Sequence, residues 1–273
     1  MLKIIVLNDN RCDNENFKCE HGISLYIEYE DKRILFDAGQ TDIFIENAKK
    51  LNIDLSKLDA IVLSHGDYDH GNGLKYLDVN TDLICHPDFM LTRISRRTGN
   101  DNGLNQTREE LQERFNLIET SKPYNVSEEI IFLGQIERNT DFEKGKNLPA
   151  TDENGNIYPH YDDSGISIKT KEGIIVISGC SHSGICNTVE YAKKITGENK
   201  VLAVMGGFHL KEVDECTLKT IEYMKNNVQS VYLAHCTSDN VCQEFEKQIP
   251  DKTHIIKTGM TYEFEKERDF KER

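Results

Sequence analysis

Residues 60–73 read Ala-Ile-Val-Leu-Ser-His-Gly-Asp-Tyr-Asp-His-Gly-Asn-Gly, and four of them, His65, Asp67, Asp69 and His70, can bind a metal. The apolar residues that open this segment predict a buried strand. In an extended chain residues 65, 67 and 69 share one face, and a loop that turns into a helix at the next glycine can bring residue 70 beside them. Imidazoles and carboxylates are ligands of zinc, iron and manganese. A polar turn with incidental histidines is the weaker alternative, because all four side chains follow directly after the strand.

The rest of the chain predicts an α/β fold with two sheets. Hairpin turns are indicated at Glu30–Lys32 and again at Lys171–Gly173. After each hairpin, apolar runs alternate with helical patterns, which is typical of parallel strands joined by helices. We therefore expect two β-sheets with helices outside them, a four-layer αββα sandwich. No linker divides the chain, so residues 1–273 are expected to form one domain.

Two polar stretches and a charged end are expected outside the regular elements. Residues 93–106 and 139–163 predict long loops, which in compact domains are often lids or binding loops. The last residues, 263–273, are almost wholly charged and predict a solvated tail.

A basic cluster, Arg93, Arg96 and Arg97, lies in the first of these loops. If the loop folds over the metal site, the guanidinium groups can bind a phosphate or carboxylate of a substrate through paired hydrogen bonds. A solvated loop whose arginines pair with nearby acids is the alternative. Lys144 and Lys146 present the same two alternatives.

Composition and charge narrow the function classes. The chain has 273 residues, with 33 Lys and Arg against 47 Asp and Glu, so its formal net charge is −14. This balance argues against binding to nucleic acid or to anionic membranes, but it leaves an anionic small-molecule substrate open, since a metal can invert the charge of one cleft.

No run approaches the roughly 20 apolar residues that span a bilayer. The short apolar start, Leu2–Leu7, predicts a strand rather than a signal peptide, so a cytoplasmic location is expected. The eight cysteines form no C-x-x-C pair and are expected to be mostly free thiols, and the oligomeric state stays open.

The motif resembles that of the metallo-β-lactamase fold superfamily, an αββα fold with a two-metal site. Its signature is His-x-His-x-Asp-His after a buried strand, and this chain has Asp67 where the family usually has the second histidine. Further matches are Glu20-His21-Gly22, Phe36-Asp37-Ala38-Gly39-Gln40, Gly179-Cys180-Ser181-His182-Ser183-Gly184-Ile185, Gly206-Gly207-Phe208-His209-Leu210 and His235-Cys236-Thr237. This set is similar to the subgroup of dihydropterin–ribofuranosylaminobenzene-phosphate synthase-like proteins, which also contains many metal-dependent hydrolases.

The resemblance implies two divalent metal ions, zinc, iron or manganese. The implied ligands are His65, Asp67 and His182 for the first ion, and Asp69, His70 and His235 for the second. Cys180 matches the position of the family's bridging aspartate, and is either a ligand or a buried packing residue. We favour His182 over Cys180, because a borderline ligand suits the oxygen-rich pair of aspartates.

Other residues have more than one interpretation. His209 either contacts substrate or satisfies loop carbonyls, and His21 is either a wall of the site or a polar cap on the hairpin. Asp37 is expected to accept a hydrogen bond from a ligand imidazole. Asp162 and Asp163 stand near the place of the family's third-motif histidine, which is missing there, and His160 stays open as its replacement.

These features predict a binuclear metal-dependent hydrolase, or a hydrolase-like synthase, acting on a small phosphorylated or ester-type substrate. Asp69 is expected to orient a metal-activated water and accept its proton, with His209 as a second catalytic candidate. The carboxylate at Asp67 predicts a shift from zinc toward iron or manganese. The alternatives are a di-iron redox enzyme of the same fold and a non-catalytic sensor with a weakened metal site. A nuclease is disfavoured because no basic stripe is present.

Overall fold

Two large β-sheets form the centre of the structure, a computed structural model that describes residues 1–143 and 150–264. The strands of the first half of the chain are β1 (Leu2–Asn8), β2 (Ser24–Tyr29), β3 (Lys32–Phe36), β4 (Ala60–Val62), β5 (Asp82–Cys85), β6 (Ile94–Ser95) and β7 (Asn116–Glu119). Those of the second half are β8 (Tyr124–Asn125), β9 (Ile130–Phe132), β10 (Ala150–Thr151), β11 (Ile157–Tyr158), β12 (Gly165–Lys169), β13 (Ile174–Ser178), β14 (Val201–Gly206), β15 (Val228–Leu233), β16 (Thr253–Ile255) and β17 (Thr261–Phe264).

The helices are α1 (Ile43–Lys50), α2 (Tyr68–Gly71), α3 (Arg108–Gln112), α4 (Ile185–Thr196), α5 (Glu215–Asn227) and α6 (Asp239–Gln248). Short 3₁₀ turns cover Leu55–Lys57, Asn72–Tyr76, Pro87–Met90 and Pro250–Lys252. None of the described helices is both long enough and apolar enough to cross a membrane.

Each large sheet combines antiparallel and parallel strands. The first has the order β17-β1-β2-β3-β4-β5-β7, and the second has the order β16-β15-β14-β13-β12-β9-β8. The two predicted hairpins are present as β2–β3 and β12–β13. From β3 to β7, and from β13 to β16, neighbouring strands are parallel.

Side-chain alternation along the strands builds the layers. In β1, Ile4 and Val6 point into the core between the sheets, whereas Ile5 and Leu7 pack with Phe44 of α1 on the outer face. The second sheet likewise buries its outer face against α4, α5 and α6. The result is the αββα sandwich that the sequence predicts, with both faces of each sheet covered.

The carboxyl ends of the parallel strands meet at one edge of the sandwich. In the first sheet, Asp37 follows β3 and His65 lies shortly after β4. In the second sheet, Cys180, His209 and His235 lie just beyond the ends of β13, β14 and β15. Residues from both halves of the chain therefore converge at this edge.

Two sequence-based expectations need correction. The first two residues of the expected tail, 263 and 264, are part of β17, which pairs with β1, and Phe264 packs against the core between the sheets. The two expected long loops contain β6, β10 and β11, which pair into a small three-stranded sheet. Residues 265–273, together with Lys144 and Lys146, lie outside the described residues.

Candidate metal centre

The loop between β4 and α2 places four polar side chains at the meeting edge. Asp67 is the residue before α2, and this short helix turns Asp69 and His70 toward the sheets. His65 and His70 lie side by side, with ring centroids 4.1 Å apart. His65 Nε2 is 3.5 Å from Asp67 Oδ2, and His70 Nε2 is 4.0 Å from Asp69 Oδ2. All four side chains are buried.

The segments that follow β13, β14 and β15 lie close together because Gly207 has no side chain. A Cβ atom at this position would lie 2.5 Å from both the Gly179 carbonyl oxygen and Cys236 Sγ. His209 and His235 adopt positive φ angles of 49° and 44°, which are uncommon for residues other than glycine. Strained backbone of this kind is typical of functional sites.

The first group of ligand atoms gathers around Asp67. His160 Nε2 lies 3.5 Å from Asp67 Oδ1, and His182 Nε2 lies 3.8 Å from Asp67 Oδ2. The rings of His160 and His182 stack with centroids 4.0 Å apart. The nitrogens of His65 and His182 also lie within 4.8 Å of Cys180 Sγ. His160, which the sequence left open, thus joins this group of candidate ligands.

The second group gathers around Asp69. Its Oδ2 lies 3.3 Å from His235 Nε2 and 3.1 Å from His21 Nε2. Cys180 Sγ is 3.3 Å from His70 Nε2 and belongs to this group as well as to the first. The thiol of Cys180 therefore stands between the two groups, as the bridging aspartate of the resembled family would.

Unpaired polar atoms indicate that these residues can hold metal. Buried polar side-chain atoms normally have hydrogen-bond partners. Within residues 1–143 and 150–264, the buried atoms without a partner include His65 Nε2, Asp67 Oδ1, His235 Nε2 and both ring nitrogens of His160 and His182. Imidazole nitrogens and carboxylate oxygens left in this state are the donors that divalent zinc, iron and manganese bind.

Hydrogen bonds on the opposite ring nitrogens orient two of the imidazoles. Asp37 Oδ2 accepts from His70 Nδ1 at 2.7 Å, which leaves Nε2 of His70 facing the site. Asn10 Oδ1 lies 2.8 Å from His235 Nδ1, and Asp9 Oδ2 accepts from the His235 backbone N–H at 2.7 Å. Asp37 occupies the position that the sequence predicts. The sequence analysis does not identify Asp9 and Asn10 as site residues. The available signal is their place directly after the apolar run of β1, at a strand end where polar side chains often lie.

The buried charges of the site depend on one another. Burial opposes ionisation of Asp67, but the neighbouring His65 and His160 hold its pKa well below the usual value. Burial likewise opposes the charged form of His65, yet the Asp67 carboxylate raises the pKa of this histidine to about 10. Burial, together with the nearby His160 and His209, holds the pKa of His182 well below its usual value. The carboxylates thus stay ionised and attract positive charge, while His182 stays neutral and keeps a lone pair available.

A cavity of about 1110 Å³ opens onto both groups. Its wall contains Asp67, Asp69, Cys180, His21, His209 and His235 from the site, and Arg96, Arg97 and Lys211 from the surrounding loops. The side chain of His21 is 50% exposed, so it lies at the cavity wall rather than in the core. His209 packs beside His182, with ring centroids 4.4 Å apart.

The prediction that Arg93 contacts substrate is wrong. Its side chain is fully buried, and the guanidinium binds Asp162 and contacts Asp67 instead of lining the cavity. Asp162 also lies outside the groups of ligand atoms, because its carboxylate accepts from the Gly66 backbone N–H at 2.8 Å. Asp163 accepts from the backbone N–H of Ser183 at 2.9 Å. These acids support the loops around the site.

Comparison with known proteins agrees with this architecture. Residues 19–83 match the family described as the metallo-beta-lactamase superfamily. An uncharacterized protein of Methanocaldococcus jannaschii, MJ0448, is 35% identical over 244 residues, covering 87% of this chain and 90% of that protein. The 7,8-dihydropterin-6-methyl-4-(beta-D-ribofuranosyl)-aminobenzene-5'-phosphate synthase of the same organism is 34% identical over 274 residues, covering 89% of this chain and 91% of the synthase.

A solved structure matches the fold over nearly the whole chain. Tm1679, described as a metal-dependent hydrolase of the beta-lactamase superfamily, superimposes with a TM-score of 0.85 and 27% identity, covering 97% of this chain and 100% of the other. The fold, the ligand-bearing loop and these relatives all lead to the same conclusion as the sequence motif. The chain belongs to the metallo-β-lactamase superfamily.

Proposed function

We propose that this chain is a binuclear metal-dependent hydrolase, or a hydrolase-like synthase, that acts on a small phosphorylated or ester-type substrate. The observation that carries the proposal is the pair of ligand groups, around Asp67 and around Asp69, which share Cys180 and open onto one cavity. A purely structural cluster of histidines would pair its buried nitrogens with protein groups, whereas His65 Nε2, His235 Nε2 and both ring nitrogens of His160 and His182 lack such partners.

The residues divide between two metal positions. His65, Asp67, His160 and His182 would hold the first ion, Asp69, His70 and His235 would hold the second, and Cys180 would lie between them. Two divalent ions bound there would lower the pKa of a bound water toward neutrality and polarise a substrate oxygen. The protein contributes the fixed ring orientations set by Asp37 and Asn10.

Asp69 is the residue that we assign to proton transfer. Its carboxylate lines the cavity, so a water molecule bound there can reach it, and His21 Nε2 lies 3.1 Å from its Oδ2. His21 thereby restricts the orientation of the carboxylate from the solvent side. His209 also lines the cavity, beside His182, where it can contact a substrate oxygen.

The rim of the cavity supports an anionic substrate. Arg96, Arg97 and Lys211 line it in a chain whose net charge is −14, so basic side chains are concentrated at the entrance. Guanidinium groups bind phosphate oxygens in pairs. The name of the 34% identical synthase places a 5'-phosphate in its product, which favours a phosphorylated substrate for this chain as well.

The experiment is metal loading coupled to a substrate panel. Metal-free protein is reconstituted with zinc, iron or manganese, its metal content is measured, and it is assayed on phosphomonoesters, phosphodiesters and carboxylic esters. We expect two equivalents of metal and turnover of a phosphorylated substrate in the wild type, and loss of both in the His65→Ala/Asp69→Ala variant. His254→Ala is the matched control, because this exposed histidine of the edge strand β16 stacks on Tyr232 and belongs to neither ligand group. The proposal fails if the double variant binds metal and turns over substrate like the wild type, or if the loaded wild type shows a di-iron optical spectrum with redox activity only.

Of the two activities in this proposal, the synthase is favoured by the 34% identity to the dihydropterin-linked synthase over 89% of this chain. The synthase and the hydrolase differ in the group that attacks the substrate, which is a second substrate molecule in the synthase and water in the hydrolase. The two activities are separated by incubating the loaded protein with a phosphorylated ribosyl-aminobenzene and a dihydropterin whose 6-methyl carbon carries a leaving group, which departs as the new bond forms. Formation of a joined product favours the synthase, whereas release of phosphate or alcohol alone favours the hydrolase.

A further inference from the structure

Arg93 is the largest fully buried side chain of the described residues, with no exposed surface. A buried guanidinium is costly unless its donors are paired. Its Nη1 donates to the carbonyl oxygens of Gly66, Phe89 and Leu91, at 3.1, 3.0 and 2.7 Å. Its Nη2 donates to the Asp88 carbonyl at 3.1 Å and to the Asp162 carboxylate. Both Nη groups of the guanidinium thus donate to the loops around the site, and only Nε makes no hydrogen bond.

Several of these contacts meet at Gly66, the residue between the two ligands His65 and Asp67. Arg93 binds the carbonyl oxygen of Gly66, while Asp162, its ion-pair partner, accepts from the Gly66 N–H at 2.8 Å. A Cβ atom on residue 66 would lie 1.7 Å from the Phe89 oxygen, so the arrangement also requires glycine there. The Arg93–Asp162 pair therefore holds both sides of Gly66.

Arg93 also acts on the side chain of Asp67. Its Nε lies 3.3 Å from Asp67 Oδ1, as an ion pair without a hydrogen bond. The other oxygen, Oδ2, lies 3.5 Å from His65 Nε2 and 3.8 Å from His182 Nε2. Oδ1 itself also lies 3.5 Å from His160 Nε2, so the guanidinium approaches the carboxylate from one side while both oxygens face imidazoles.

We infer that Arg93 is a positioning residue of the metal centre: with Asp162 it fixes Gly66, and it balances the charge of Asp67 and fixes the orientation of this carboxylate among the imidazoles of the first metal position. The inference rests on the metal centre of the proposed function. This role explains why Arg93 is buried although Arg96 and Arg97 in the same loop are exposed. It also explains how the chain accommodates the charge of Asp67 at a position where its family usually has a neutral histidine.

The main chain extends this role to the cavity. The Arg93 carbonyl accepts from the Asn102 N–H at 2.7 Å, and the Asn102 carbonyl accepts from the Tyr68 N–H at 2.8 Å. Arg96 and Arg97 follow in the same loop and line the cavity. Arg93 therefore ties the loop that carries the cavity arginines to the loop that carries the metal ligands.

The test measures metal binding and needs no substrate. Cobalt(II) is titrated into metal-free wild type, Arg93→Lys, Arg93→Met, Asp67→His and the double variants, and its visible absorption reports the coordination geometry. Because outer partners of metal ligands typically contribute about 10- to 100-fold in affinity, we expect Arg93→Lys to lose at least tenfold and to change the cobalt spectrum. In the Asp67→His background, where no carboxylate remains to be held, the same substitution is expected to cost at least threefold less.

Arg114→Met is the matched control, because this half-buried arginine donates to the Leu77 carbonyl instead, and its cobalt binding should equal that of the wild type. Arg93→Lys keeps the charge, so the comparison stays valid if Arg93→Met does not fold. Wild-type affinity and spectrum in Arg93→Lys, or an equal loss in both backgrounds, would overturn the inference while leaving the proposed function intact. Failure of the wild type to bind cobalt would overturn both.

Discussion

Replacing Asp37 with asparagine should weaken both metal positions through a single buried carboxylate. Asp37 receives three hydrogen bonds, from Ser64 N and Ser64 Oγ and from His70 Nδ1, each at 2.7 Å. Ser64 Oγ in turn lies 2.8 Å from His65 Nδ1. Because the hydroxyl proton points to Asp37, the serine oxygen accepts from His65. The carboxylate therefore sets Nδ1–H on His70 directly and on His65 through Ser64, which leaves both Nε2 atoms able to bind metal.

Asparagine has the same size, but it replaces one carboxylate oxygen with an N–H₂ group. All three groups that contact the Asp37 carboxylate are donors, so this N–H₂ group would face a donor instead of an acceptor. If the amide nitrogen faces His70, the histidine must move its proton to Nε2 or leave a bond unmade. If the amide is flipped, its nitrogen meets the Ser64 N–H instead. An unsatisfied buried donor costs about 1–3 kcal/mol. Losing the partner that orients a metal-binding histidine typically costs about 10- to 100-fold in affinity, or about 1.4–2.7 kcal/mol. The cost of the unsatisfied donor and the expected loss of metal affinity therefore have the same magnitude.

The assay is competition for zinc with a chromophoric chelator, followed by urea unfolding of the metal-free proteins. We expect Asp37→Asn to bind both equivalents at least tenfold more weakly and to lose about 1–3 kcal/mol of unfolding free energy. Asp59→Asn is the control, because this exposed aspartate precedes the same strand β4 and accepts one backbone N–H at 2.8 Å. Wild-type zinc affinity in Asp37→Asn would refute the reasoning, and loss at only one equivalent would refute the link through Ser64.

Two further predictions concern the supports of the site. Glu143 accepts from the backbone N–H groups of Cys186 and Asn187, each at 2.9 Å, at the start of α4, so Glu143→Ala should cost about 1–3 kcal/mol in urea unfolding. Burial raises the pKa of Glu143, so the wild type should lose stability relative to Glu143→Gln as pH rises above about 4.5, and a constant difference between pH 4 and 8 would contradict this. Gly207→Ala would place a Cβ 2.5 Å from Cys236 Sγ, so calorimetry should show a loss of about 1–3 kcal/mol together with weaker metal binding, and an unchanged variant would refute the close approach.

The sequence predicts the central strands well and the edge strands poorly. Long apolar runs mark β1, β13 and β14, because both faces of these strands are buried. The strand β7 reads Asn-Leu-Ile-Glu and β17 reads Thr-Tyr-Glu-Phe, and neither is fully buried. Edge strands need few apolar residues, so their patterns resemble loops, and the charges that follow Phe264 hide the end of β17.

For the site, the sequence predicts residues that belong to a contiguous motif and misplaces those that depend on tertiary contacts. His65, Asp67, Asp69 and His70 come together as their spacing suggests, and each lies in a group of candidate ligands or beside one. Arg93 cannot be told from its exposed neighbours by type or spacing. Its burial is decided by carboxylates on other loops, which the local pattern does not contain.

His160 changes the basis of the expected metal preference. The expectation of iron or manganese rests on Asp67 replacing an imidazole, and the missing third-motif histidine left the ligand set of the first metal open. In the structure His160 stacks on His182 beside Asp67, so the first group offers three imidazoles, from residues 65, 160 and 182, together with one carboxylate. Three nitrogens and one oxygen form a set that zinc binds readily, and Arg93 Nε lies 3.3 Å from Asp67 Oδ1, where it offsets the charge that the aspartate adds. The two departures from the family pattern thus compensate each other, and the aspartate alone no longer argues against zinc.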